Sequence, residues 1–226
     1  MRQLNIFTDA SITTTIHEET IGCAGAICLE NNNLCKFRVL RDSTNNISEI
    51  TAVRLAIELA LENRDNFDIV NIWADSQWAI FGLTKWIRSW MNNMYDGIMY
   101  NSSGERVKNQ QIFLSIIKLI AENNLRVNFY HIKGHVDVNN IGSIAHAVSV
   151  FNKSNGCSIS RDKMYIAANM NNMVDNQTRN ILKNYKTEEK VYLKQGIINP
   201  AISNEILIRY YNLVTLGGKQ IWRKKD

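Results

Sequence analysis

The hydrophobic period of this chain changes partway along it, and few folds accommodate that change. Residues 3–9 (QLNIFTD), 22–30 (GCAGAICLE) and 34–40 (LCKFRVL) are short apolar or alternating runs separated by polar loops, which predicts three strands in hairpin order. Over 47–61 the spacing becomes helical, with Ile50, Val53, Ile57 and Leu61 on one face, and IVNIWA at 69–74 is then a short strand of the buried type. A helix is predicted after Asp75 through Leu83, an exposed Gly- and Asn-containing loop over 92–105, an amphipathic helix over 107–121 and a fifth strand over 126–133 (RVNFYHIK). The expected fold class is α/β, a five-stranded mixed sheet flanked by helices.

Residues 136–170 are rich in Asn, Ser and Gly and weakly periodic. They far exceed the ~4–6 residues of an ordinary connection, so an insertion or flexible lid is expected there, ahead of a last helix over 171–185. Residues 186–226 are expected to be a C-terminal extension with a short strand, a helix around 203–211 and a basic end (KQIWRKKD).

With 226 residues, 45% of them hydrophobic, the chain can bury one substantial core. Lys and Arg outnumber Asp and Glu by 26 to 21, a formal charge of +5 that favours polyanionic partners. No apolar run approaches the roughly 18–20 residues of a membrane span, and MRQLNIFTDA lacks the charged-then-apolar order of a signal peptide. A cytoplasmic monomer without membrane contact is expected. Cys23, Cys28, Cys35 and Cys157 have neither zinc-site spacing nor the density of a disulfide scaffold, and read as plain thiols.

Four acids stand out by their context. Asp9 lies within the apolar run after Leu4 and Phe7, where an ionised carboxylate needs a paired charge or a bound cation. The others have ordinary explanations when taken singly. Asn46-Ile47-Ser48-Glu49 fits a capping box, Asp75 opens a helix after a strand, and Asn172-Met173-Val174-Asp175 repeats the cap pattern. Together they fall within a strand or at helix starts that follow strands or loops, and the carboxyl ends of strands are where α/β sheets build sites. Several carboxylates in one place suit Mg²⁺ or Mn²⁺, hard cations that take oxygen ligands.

The motifs themselves are IFTDAS at 6–11, GCAGAICLE at 22–30, STNNISEITAVRLAIELAL at 43–61, WADSQWAIFGL at 73–83, KWIRSW at 85–90, VKNQQIF at 107–113, YHIKGH at 130–135 and NNMVDNQTR at 171–179. In this order, and through most of residues 3–185, they resemble type 1 ribonuclease H of the ribonuclease H-like superfamily. The resemblance implies a hydrolase that cuts the RNA strand of an RNA–DNA hybrid and leaves 5′-phosphate and 3′-hydroxyl ends. Asp9, Glu49, Asp75 and Asp175 would hold two divalent ions per site with substrate, one activating water and one stabilising the leaving oxygen.

His135, in the Lys-Gly-His context, would assist proton transfer or product release. Thr44, Asn45, Asn46, Gln77 and Asn171 match substrate-binding positions. KWIRSW and VKNQQIF resemble the flanks of the family's basic substrate handle, but the segment between them, MNNMYDGIMYNSSGE, holds no Lys or Arg, so hybrid affinity is expected to rest on other surfaces. A resolvase or transposase of the same fold, and a non-catalytic nucleic-acid-binding module, are the competing readings. The Thr-Asn-Asn and Lys-Gly-His motifs argue against the first, and the presence of all four acids against the second.

Overall fold

The structure, a computed structural model, describes residues 2–15, 18–194, 211–216 and 219–224, with side chains described through residue 186. Strands β1 (Gln3–Thr14), β2 (Thr20–Cys28) and β3 (Cys35–Arg41) form an antiparallel meander. Helix α1 (Asn45–Glu62) and a 3-10 turn (Arg64–Asn66) then carry the chain to β4 (Ile69–Ala74), which lies parallel to β1. Next come α2 (Gln77–Phe81), a π-helical stretch (Gly82–Trp86), α3 (Ile87–Asn92) and a hairpin of two short strands, β5 (Met94–Tyr95) and β6 (Ile98–Met99). Helix α4 (Gln110–Glu122) returns the chain to β7 (Val127–His131), parallel to β4. The sheet order is β3-β2-β1-β4-β7, the five-stranded mixed arrangement that the periodicity predicts.

Strand side chains alternate between faces, and each face of this sheet has its own core. Leu4, Ile6, Val70 and Ile72 pack on one side against Ile50, Val53 and Ile57 of α1 and Phe113 and Ile116 of α4. On the other side Phe7 and Ile27 pack beneath α5 (Ile141–Asn155) and α6 (Arg161–Lys194), against Ile144, Phe151, Met164 and Val174. Trp73 centres that second layer, with ring centroids 5.5 Å from Phe7, 4.5 Å from Tyr130 and 5.8 Å from Phe151. Gly25, paired with Asp9 across β1 and β2, keeps the gap under α6 narrow: a Cβ there would lie 2.9 Å from the Thr178 methyl.

Several expectations change. The segment 136–170 is largely helical, because Ile144, Ala147, Val148 and Phe151 share one face of α5 and bury it under the sheet. Asn140 caps that helix by accepting from the Ser143 amide at 3.1 Å, and Gly156 ends it at φ 66°. Helix α6 starts ten residues before the expected position at 171, where Ser160 Oγ accepts from the Lys163 amide at 3.3 Å, and it continues through the expected domain boundary after residue 185. Asp175 is therefore interior to a helix, and capping cannot account for it. The N-cap of α1 is Thr44, which accepts from the Ile47 amide, so Glu49 is not the partner of a cap at Asn46. Trp90 is buried, while Trp86 is 37% exposed with its ring set against Phe81 and Trp90. The helix expected around 203–211 lies mostly outside the described residues, and β8 (Tyr211–Leu216) pairs with β9 (Lys219–Lys224) as a separate hairpin.

Candidate active site

Strand β1 delivers Asp9 to the α6 side of the sheet, two residues beyond Phe7 on the same face, and the carboxylate is 4% exposed. Its Oδ1 accepts from the Ala10 amide at 2.7 Å, while Oδ2 is buried with no hydrogen-bond partner among the described residues. The second turn of α1 carries Glu49, 7% exposed, into the same space. Asp75 follows the carboxyl end of β4, beside the start of α2, whose cap is Ser76 accepting from the Ala79 amide. Ligand oxygens of Asp9, Glu49 and Asp75 all lie within 4.8 Å of one another.

The fourth acid, Asp175, enters from α6 and stays outside that group of three. Its Oδ1 accepts from Arg179 Nε at 2.7 Å, and its Oδ2 lies 3.7 Å from His135 Nδ1. His135 sits on the loop after β7 with φ 52° and a side chain 67% exposed. That loop is tied down on both sides. Val136 is buried against Ile144 and Ala147, and Asn172 Nδ2 donates to the Val136 carbonyl at 3.0 Å. Gly134 passes so close to Asp75 that a Cβ there would lie 2.2 Å from Oδ2. All four acids and His135 line one cleft of about 430 Å³ together with Asn45 and Arg179.

Crowded carboxylates taken from water resist ionisation. Burial, then the charges of Asp75 and Asp175, pushes Asp9 up to about 8. Burial and the same neighbours hold Glu49 well above the usual carboxylate range. Asp75 is also raised by burial, with the donated hydrogen bond from Asn171 opposing the shift. A divalent cation relieves all three at once. The donor set fits one: every candidate ligand atom is an oxygen, and Asp9 Oδ2 is an orphaned buried acceptor aimed into the nest.

The residues read as substrate contacts divide. Thr44, Asn45 and Asn46 are exposed at the start of α1, and Gln77 is exposed at the start of α2. Asn171 is 1% exposed and its Nδ2 donates to Asp75 Oδ2 at 3.3 Å, so it orients a carboxylate instead of presenting itself to a ligand. Of the other histidines, His131 is buried with Nδ1 3.0 Å from Ser154 Oγ, and His146 is exposed on α5. His17 lies outside the described residues. Arg179 received no role from the sequence, although its position four residues after Asp175 on a helix signals a shared face.

The family model described as RNase H matches residues 1–143, a span that holds Asp9, Glu49, Asp75 and His135 and ends before Asp175. Ribonuclease H of Clostridium botulinum is 28% identical over 139 residues, covering 61% of this chain and 87% of that protein. Ribonuclease HI of Haemophilus influenzae is 30% identical over 134 residues, covering 59% and 79%. Among solved structures, the crystal structure of LC11-RNase H1 in complex with RNA/DNA hybrid is similar over 68% of this chain and 96% of that one, with 17% identity and a TM-score of 0.41. The solution structure of the PFV RNase H domain is similar over 69% and 93%, with 18% identity and a TM-score of 0.46. Among the described residues, no helix is long and apolar enough to cross a membrane.

Proposed function

This chain belongs to the ribonuclease H family, and from that premise we propose how it acts: it hydrolyses the RNA strand of RNA–DNA hybrids, with Asp9, Glu49, Asp75 and Asp175 as its metal-holding acids. The observation that supports the assignment of the site is the nest itself, two buried carboxylates and a half-buried third with ligand oxygens within 4.8 Å of one another, and one oxygen of Asp9 without a partner among the described residues. Bound Mg²⁺ or Mn²⁺, two ions with substrate, would supply Lewis acidity to the attacking water and to the departing 3′ oxygen.

The chain's own groups do the rest. Asp9 and Asp75, fixed by the Ala10 amide and by Asn171, hold their carboxyl oxygens in place before substrate arrives. With Nδ1 of His135 turned toward Asp175, its Nε2 is the atom left to pass a proton to the leaving oxygen. Thr44, Asn45, Asn46 and Gln77 offer hydroxyl and amide groups at the exposed starts of α1 and α2, suited to ribose hydroxyls and groove edges. Attack of water on phosphorus in line with the P–O3′ bond leaves 5′-phosphate and 3′-hydroxyl ends. Residues 1–185 are the proposed catalytic unit, with α6 running on past them to Lys194, 186–226 the appended extension that continues it, and the setting a cytoplasmic monomer.

A labelled RNA strand, presented alone, in an RNA duplex and in an RNA–DNA hybrid, tests the reading. Cutting confined to the hybrid, dependent on Mg²⁺ or Mn²⁺ and stopped by chelator, is expected. Failure to cut the hybrid, or cutting of DNA junctions in its place, would overturn it.

A further inference from the structure

The cleft contains a cation that the four-acid scheme does not use. Arg179 lines it together with Asp9, Glu49, Asp75 and His135, one helical turn beyond Asp175. Its Nε donates to Asp175 Oδ1 at 2.7 Å, and that single contact is its only hydrogen bond or ion pair among the described residues. The side chain remains 58% exposed. A guanidinium is a rigid planar fork, so anchoring Nε fixes the direction of its other N–H groups.

A purely structural pair would explain the contact, but weakly. An exposed i,i+4 ion pair contributes little to stability, and it gives no reason for the free edge of the fork to border a site that accepts a polyanion. The handle segment 92–105 holds no Lys or Arg, which removes one ordinary source of phosphate contacts near the site. Arginine recognises phosphate through paired N–H donors, and that pairing is stronger than one between neutral groups.

Building on the hybrid-cleavage reading, we propose that Arg179 is a phosphate-binding residue of the cleft: Asp175 holds Nε, and the terminal N–H groups grip a non-bridging oxygen of the nucleic-acid backbone. The same contact would keep Asp175 neutralised until substrate and metal arrive, and it couples the fourth acid to occupation of the cleft.

The test is hybrid binding by the full chain carrying Asp75→Asn in Mg²⁺, read by fluorescence anisotropy from 50 to 200 mM KCl, with Arg179→Gln or Arg179→Lys added. Each phosphate contact contributes about 0.9 to the slope of log affinity against log salt. Arg179→Gln should lower the slope by about that amount, so the variant loses roughly 3-fold less affinity than its parent across this range. Arg179→Lys should restore the slope while binding more weakly than arginine. An Arg179→Gln slope equal to the parent's, in a protein whose melting temperature is unchanged, would overturn the proposal and leave Arg179 as a partner of Asp175 alone. Hybrid cleavage by the wild-type chain, measured alongside, separates the failures: with cleavage intact only the Arg179 proposal falls, and without it the hybrid reading falls and takes this proposal with it.

Discussion

On the α1 and α4 side of the sheet, β1 and β4 present Leu4, Ile6, Val70 and Ile72, all buried in an apolar layer. On the α5 and α6 side the same strands present Asn5, Phe7 and Asp9, then Asn71 and Trp73 ahead of Asp75. Each aliphatic side chain on the first face contributes about 1.5–3 kcal/mol by leaving water. The second face brings Asp9, from within β1, and Asp75, just past the end of β4, next to Glu49 of α1, and burial raises the pKa of all three. Both faces carry an apolar core, but only the second also gives up stability for a group of acids that a divalent cation would neutralise.

Exchanging features between the faces would break this contrast. Asp75→Asn keeps the shape of the side chain and loses its charge, so hybrid cleavage should fall by roughly 1000-fold or more, the equivalent of several kcal/mol of charge stabilisation. The melting temperature should hold or rise, and retained cleavage would sink the assignment of Asp75. Ile72→Ala, on the apolar face, should do the reverse. A loss of about 2–5 kcal/mol in denaturant unfolding is expected, with activity per folded molecule unchanged.

Smaller effects sharpen the picture. Gly134→Ala forces a methyl against Asp75 Oδ2, and a displaced metal-holding group of this kind should weaken metal binding and cleavage by about 10- to 100-fold. Unaltered Mn²⁺ affinity would show that the loop yields without moving the acid. The pH dependence of the metal-free protein should be smaller still. Asp9 keeps its proton up to about 8 when folded and releases it near 3.8 when unfolded. Between those values the folded state binds the extra proton, so metal-free stability falls as pH rises through that window. Each kcal/mol should appear as about 2–4 °C in melting temperature for a chain of this size. Added Mg²⁺ should therefore raise the melting temperature more at pH 8 than at pH 6, and equal shifts would contradict the assigned state of Asp9.

Strand β4 was legible residue for residue, because IVNIWA is a compact β-branched and apolar run between polar neighbours. That the four acids share one cleft was legible from their motifs, and the burial of Asp9 from its place in an apolar run. Helix α5 was hidden by composition: its apolar positions carry the helical period, but Asn, Ser and Gly dilute it. The contact of Asn171 with Asp75 was not legible, because a sequence shows that an amide is near a site and cannot show which way it faces. The start of α6 was misplaced since Asn172 and Asp175 imitate a cap, whereas Ser160 supplies the real one.

The measurement that bears most directly on the contrast between faces is calorimetric titration of Mn²⁺ into the wild-type chain, Asp9→Asn and Ile72→Ala under identical conditions. Binding by wild type and Ile72→Ala together with its loss in Asp9→Asn is the expected result; an Asp9→Asn chain that binds Mn²⁺ as tightly as wild type would contradict the placing of the metal site in the carboxylate nest.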